Sequence, residues 1–227
     1  MWRGYRKGDK VYWNTKIGKG RPAWNVQDPA MLTQHLGFEV DICCGGIDNI
    51  IRHHDYVIAV IEGVSGKPFA HFWLHAAHLY VDGKKMSKSR GNIIYPSDLL
   101  KRGCQWDHIR FFLIYDHYRR RLNFTFAKYT QICERLESLR QMVKNLNGRG
   151  VTAQKPSARA KKLLAKLTAD FEENMSNDLN IKEAFNLLFN TVSKLVILKE
   201  KRKLSKKNLN EAIAKLRLID QVLQIIF

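Results

Sequence analysis

From residue 126 onward, apolar side chains recur at spacings of three and four, and no other feature constrains the fold of this 227-residue chain as tightly. Tyr129, Ile132, Cys133, Leu136, Leu139 and Val143 make one stripe of a helix over 126–145. After a linker from Asn147 to Pro156, similar patterns predict helices over 158–175, 181–198 and 207–227. A helix that is apolar along one stripe must bury that stripe, so this portion folds as an all-α bundle. Shorter helices are predicted to open at Pro96-Ser97-Asp98, stopping at Gly103, and at Asp107, running to Tyr118. Upstream the pattern changes. Compact apolar runs at 38–43, 69–74 and 77–81 read as strands, with helices over 29–36 and 49–64. The first 36 residues show no clean period. The chain therefore reads as an α/β part followed by an all-α part, with the composition changing near residue 120.

An apolar fraction of 45% supports a packed core. Thirty-nine Lys and Arg against 21 Asp and Glu give a formal charge of +18, which favours a polyanionic partner, with tRNA or other RNA foremost. Arg119-Arg120-Arg121 and the run from Lys199 to Lys207 are the densest basic segments of the helical part. Alone each is a solvated turn; together they form a phosphate-contacting surface. Four cysteines without a Cys-x-x-Cys pair suggest neither a disulfide framework nor an all-cysteine metal site. No apolar run reaches bilayer length, so the expectation is a cytoplasmic protein without a membrane partner.

Chemistry concentrates at Lys85-Met86-Ser87-Lys88-Ser89, between the Asp82-Gly83 turn and Arg90-Gly91-Asn92. Two ammonium groups three residues apart on a flexible loop can follow the phosphates of a nucleotide as charge develops on them. Taken alone, such a pentapeptide on a basic chain is a solvated loop. The run WLHAAHLYVDGKKMSKSRGN resembles the signature region of class I aminoacyl-tRNA synthetases, and most resembles the cysteinyl-tRNA synthetase family. GKGRPAWNVQDPAM at 18–31, DICCGGIDNIIRHHDYVI at 41–58, Leu122-Asn123-Phe124 and 171–189 are similar to further family segments in the same order.

The resemblance implies a partial Rossmann-like nucleotide-binding half followed by the helical bundle. Residues 1–96 would be the second half of the catalytic domain, 97–120 connecting helices, and 121–227 a tRNA-binding-like bundle. It implies ATP-dependent activation of an amino acid and its transfer to tRNA, with ATP and Mg2+ required. Lys85 and Lys88 would contact the ATP phosphates, while Met86, Ser87 and Ser89 shape the loop. Gly45 and Gly46 would let the backbone approach adenosine, and Asp48 would accept from ribose hydroxyls. Without the resemblance, Gly45-Gly46-Ile47-Asp48 is an ordinary strand-to-helix turn with an Asp cap. Trp24 would wall the amino-acid pocket, although an isolated Trp is usually core.

The sequence also departs from the family. No His-x-Gly-His motif occurs, and the family's leading strands have no counterpart. The expectation is a partner chain supplying that half, weak or no activity alone, and an exposed sheet edge. Of the family's zinc ligands only His53 is retained. Asp28 replaces a cysteine and Val57 a glutamate, so zinc is not expected. His71, His75 and His78 read as fold or surface histidines. Asp28 beside His53 would suit a polar or cationic amino acid rather than cysteine. The alternative is a non-catalytic tRNA-binding or accessory module derived from a synthetase.

Overall fold

The computed structural model describes residues 1–148 and 157–227. The predicted linker lies, for residues 149–156, outside the described residues. The chain forms two compact units, Met1–His78 and Leu79–Phe227.

The first unit opens with strands β1 (Trp2–Gly4), β2 (Trp13–Thr15) and β3 (Gly18–Pro22), an antiparallel sheet in the order β1-β3-β2. Sequence periodicity missed this sheet because its glycines interrupt the alternation. Gly20 must be glycine: a Cβ there would lie 2.3 Å from the Arg3 carbonyl oxygen and 2.7 Å from the Trp2 indole nitrogen. Helix α1 (Trp24–Leu36) begins five residues earlier than predicted, and Pro29 sits inside it. Strands β4 (Val40–Gly46) and β5 (Ala70–Ala76) pair in parallel, joined by helix α2 (Asp55–Ser65). The single helix predicted over 49–64 is broken at Ile51 and Arg52. Arg52 takes φ 79°, a left-handed conformation that ends one turn before α2 begins.

A small core of Val57, Ile61 and Phe69, with Leu32, Val40, Cys43 and Trp73 against it, covers one face of the β4–β5 pair. The other face carries Ile42 opposite Phe72, which are 56% and 65% exposed. Parallel strands are ordinarily buried on both faces, and this pair is covered on one.

The second unit begins with β6 (Leu79–Val81), β7 (Lys84–Lys85) and, after two helices, β8 (Leu122–Phe124), in the order β7-β6-β8. The parallel pairing of β6 with β8 ties the Lys/Ser loop to the helical part. For this reason the compact units divide at residue 78, ahead of the composition change near 120. Helices α3 (Pro96–Lys101) and α4 (Trp106–Tyr115) lead into α5 (Phe126–Asn147), α6 (Ala158–Ser176), α7 (Ile181–Glu200) and α8 (Lys206–Leu223). Thr125, Ser157 and Ser205 cap α5, α6 and α8 by accepting the backbone N–H groups of Lys128, Ala160 and Asn208. Every residue of the predicted α5 stripe is buried. Each leucine so placed contributes about 1.5–3 kcal/mol, which is what holds this unit together.

Candidate functional site

Two groups of candidate residues lie in the first unit. In one, α1 presents Asn25 and Asp28, one turn apart, to the His53 ring. His53 Nε2 lies 2.9 Å from Asp28 Oδ2, and Nδ1 lies 3.3 Å from Asn25 Oδ1. The break at Arg52 turns His53 toward α1, so Asp28 and His53, predicted as a pair, do meet. Trp24 opens the same helix with 65% of its surface exposed, so it is not core. Asn25 escaped the sequence reading; its signal was the i,i+3 spacing to Asp28 on a helix.

The second group surrounds His54, which is only 7% exposed. Its Nδ1 lies 2.8 Å from His75 Nε2, and its ring is 5.1 Å from that of Trp73. Burial, then the neighbouring charges of His75 and His53, push the His54 pKa below the usual imidazole range. Such a ring is held neutral and packs as an apolar group with one satisfied hydrogen bond. Gly45 makes room for it: a Cβ there would stand 2.5 Å from His54 Cε1. At Gly46 a Cβ would stand 2.7 Å from Asp48 Oδ1. Asp48 lies within a 3-10 turn (Ile47–Asn49) whose N-terminus has no side-chain cap, and its carboxylate is 3.5 Å from His78 Nε2. The Asp-cap alternative is thus not what forms; Asp48 faces a histidine instead. His71 pairs with Glu39 at 2.8 Å on the surface.

Asp28 and His53 face each other, and Cys43 points into the small core with its thiol pKa raised by burial and by Cys44. Among the described residues no three His, Cys, Asp or Glu side chains converge on a point that could hold an ion. These residues do not fit the family's zinc site.

The Lys/Ser loop lies in the second unit and is built by its flanks. Asp82 and Gly83 both take positive φ, 47° and 77°, giving the tight turn that closes β6 on β7. Gly83 N–H donates to Asn123 Oδ1 at 2.9 Å, anchoring the turn to β8. Met86 N–H donates to the Leu79 carbonyl at 2.9 Å, and its side chain packs against the large core. Lys85 is half-buried and Lys88 is exposed in a short turn, Lys88–Arg90, that ends at Gly91 with φ 65°.

Asn92 clasps the loop from its far end: Oδ1 accepts the Ser87 N–H at 3.0 Å and Nδ2 donates to the Lys85 carbonyl at 3.2 Å. Ser87 and Ser89 hydroxyls are 3.3 Å apart. The two lysines are therefore carried on a shaped backbone rather than a loose tail. Asn92 was visible in the sequence only as a flank, because a side-chain-to-backbone clasp has no composition signal.

Asp178 organises a further polar cluster. It accepts from Tyr118 Oη and Arg119 Nε, each at 2.6 Å, and from Arg119 Nη2 at 3.3 Å. These bonds fix the Arg119-Arg120-Arg121 segment, whose Arg121 guanidinium lies 5.5 Å from the Tyr80 ring of β6. No described helix is long and apolar enough to cross a membrane.

Known proteins match this arrangement. The family described as tRNA synthetases class I (C) catalytic domain matches residues 1–134. A cysteine–tRNA ligase of Chlamydia pneumoniae is 36% identical over 228 residues, spanning all of this chain and 48% of the relative. One from Brachyspira hyodysenteriae is 39% identical over 196 residues, spanning 85% of this chain and 41% of the relative. The LeuRS of an Agrobacterium radiobacter K84 LeuRS–tRNA–LeuAMS complex shares the fold with a TM-score of 0.61 at 16% identity, over 82% of this chain and 26% of that one. A putative arginyl-tRNA synthetase from Campylobacter jejuni does so with a TM-score of 0.60 at 13% identity, over 98% and 57%. The chain spans about half the length of the curated relatives it matches. A parallel strand pair, a clasped Lys/Ser loop and a helical bundle thus occur together in a protein that belongs to the class I aminoacyl-tRNA synthetases, in the cysteinyl-tRNA synthetase family.

Proposed function

We propose that this chain contributes the phosphate-handling loop and the tRNA-facing bundle of an ATP-dependent aminoacyl-tRNA ligase of cysteinyl type. The observation that carries the reading is the Asn92 clasp, which holds Lys85 and Lys88 on one ordered loop. Adenylate formation displaces pyrophosphate from ATP, and such displacement needs placement and charge neutralisation more than covalent help. Lys85 and Lys88 supply that charge, with Mg2+ accompanying the ATP. Gly45, Gly46 and Asp48 belong to the adenosine side of the reading, and Trp24, Asp28 and His53 to the amino-acid side. Residues 1–96 serve catalysis, 97–120 connect, and 121–227 hold tRNA.

The Asp28–His53 contact at 2.9 Å supports a narrower reading, in which the amino acid is polar or cationic. A carboxylate facing an imidazole is a hard, hydrogen-bonding environment, poorly suited to selecting a thiolate. Amino-acid-dependent ATP–pyrophosphate exchange tests both readings, run with a polypeptide that supplies the family's N-terminal half. Exchange that falls at least about 100-fold in Lys88→Ala supports the phosphate role, a magnitude typical of losing one preorganised electrostatic contact. Exchange with cysteine alone would sink the altered selectivity. Salt-sensitive tRNA binding that survives Lys85→Ala and Lys88→Ala, without any exchange, would favour the non-catalytic module.

A further inference from the structure

The helical unit carries a groove that the Lys/Ser loop does not touch. Helices α6 and α7 are joined by the short segment 177–180, so they lie side by side as an antiparallel pair. On α6, Arg159, Lys162, Leu163, Lys166 and Asp170 recur at helical spacing and form one stripe. On α7, Leu187, Thr191, Lys194 and Leu198 do the same, with Lys201 just past the last turn. The two stripes line a hollow of about 290 Å³. It continues past Arg159 and Lys194, which line both, into a second hollow of about 210 Å³. From Leu187 to Lys201 the groove follows α7 for about 21 Å, at 1.5 Å per residue.

The floor is apolar and partly open. Leu187 is half-buried, and Ile197 is 45% exposed next to the buried Leu198. Thr191, only 5% exposed, lines the hollow, and among the described residues no group hydrogen-bonds its hydroxyl. The rim is cationic. Lys166 is paired with Asp170 at 3.6 Å, but among the described residues no carboxylate pairs with Arg159, Lys162, Lys194 or Lys201. None of the described residues lining either hollow is aromatic.

We infer that the α6–α7 groove docks an acidic amphipathic helix of a partner protein. Such a helix lays its apolar stripe on Leu187 and Ile197 and sets its carboxylates against the four cations, and about four turns of it fill the length. Lys201 belongs to the basic run read above as a phosphate surface. Here the open leucine and isoleucine favour an occupant with an apolar side, and a polynucleotide finds no ring to stack on. A second copy of this chain carries the same charge of +18 and is repelled. Residues 149–156 hold Arg149 and Lys155 and no carboxylate, so they do not complement the rim either. None of the groove residues belongs to the Lys/Ser loop, so failure of the ATP reading leaves this site untouched.

The test measures binding of the full chain to a fluorescein-labelled helical peptide of about 14 residues, with leucine along one stripe and glutamate flanking it. A peptide of the same composition in scrambled order and an oligouridylate serve as comparisons. Wild type is expected to bind the amphipathic peptide about tenfold more tightly than the scrambled one, since only the former presents an apolar stripe. L187S/I197S should lose about tenfold, with the salt dependence retained. I197S alone changes a side chain already 45% exposed, so it keeps the fold, and should lose about threefold. K162Q/K194Q should weaken binding about threefold and flatten its salt dependence. K101Q/K144Q, which removes two exposed cations outside the groove, should bind as wild type does. The inference is overturned if the scrambled peptide binds equally well, or if neither I197S nor L187S/I197S weakens binding. It also falls if K162Q/K194Q has no more effect than K101Q/K144Q. Displacement of the peptide by oligouridylate, with L187S/I197S binding the peptide as wild type does, would make the groove a phosphate surface instead.

Discussion

Gly45→Ala separates two reasons for a glycine at the end of β4. The added methyl would lie 2.5 Å from His54 Cε1, 3.1 Å from Nε2 and 3.3 Å from Asn49 Nδ2. His54 is 7% exposed and cannot swing into solvent without leaving its 2.8 Å contact with His75. Overpacking of this kind costs about 1–3 kcal/mol, and a lost hydrogen bond about 1 kcal/mol more. The expected destabilisation is therefore about 2–4 kcal/mol, or on the order of 10 °C in Tm for a unit of this size. Four of the five tryptophans, Trp2, Trp13, Trp24 and Trp73, lie in the first unit, so intrinsic fluorescence during urea or thermal unfolding reports it selectively. Gly63→Ala is the matched control. Gly63 is inside α2 with nothing within 4 Å of the new Cβ, so it should stabilise by about 0.5–1 kcal/mol. An unchanged midpoint in Gly45→Ala, with ATP affinity lost, would refute the packing argument and return this glycine to the nucleotide.

Asn92→Ala removes both hydrogen bonds of the loop clasp, each with a net worth of about 1 kcal/mol, and should speed amide exchange at Ser87 at least tenfold while lowering global stability by no more than about 2 kcal/mol. Acid should destabilise the second unit through Asp107 and Asp116. Burial raises both pKa values, but Arg140 for Asp107, and Lys182 with Lys128 for Asp116, outweigh it and hold both below the usual carboxylate range. With folded values below the unfolded ~3.9, their stabilisation is complete above that pH and is lost as pH falls through the folded values. Asp116→Asn should lower stability by about 1 kcal/mol at pH 7, after discounting the partly exposed lysines, and flatten the acid limb of a Tm-versus-pH curve.

The bundle was legible because burial there depends on local spacing. All six apolar residues of the predicted α5 stripe are buried, and the helix ends fall within a few residues of the Ser, Thr and Gly signals. The Lys/Ser loop was legible from its flanking Asp-Gly turn. The opening sheet was not, since Gly4, Gly18 and Gly20 erase the alternation that marks a strand. Nor was the break at Arg52, where a left-handed residue other than glycine or asparagine leaves no local mark. The pairing of β6 with β8 joins residues 43 positions apart, and such non-local contacts decide the unit boundary without any composition shift. Within the candidate site, Asp28 and His53 were foreseen, while Asn25, His75 and Asn92 act through hydrogen bonds that only the folded backbone brings together.

The central claim is that Lys85 and Lys88, clasped by Asn92, neutralise the phosphates of ATP. ATP–pyrophosphate exchange, with a polypeptide of the family's N-terminal half added, measures it most directly. The account predicts exchange that requires an amino acid, falls at least about 100-fold in Lys88→Ala, and falls less in Asn92→Ala. Exchange at wild-type rates in a Lys85→Ala, Lys88→Ala double variant would contradict it.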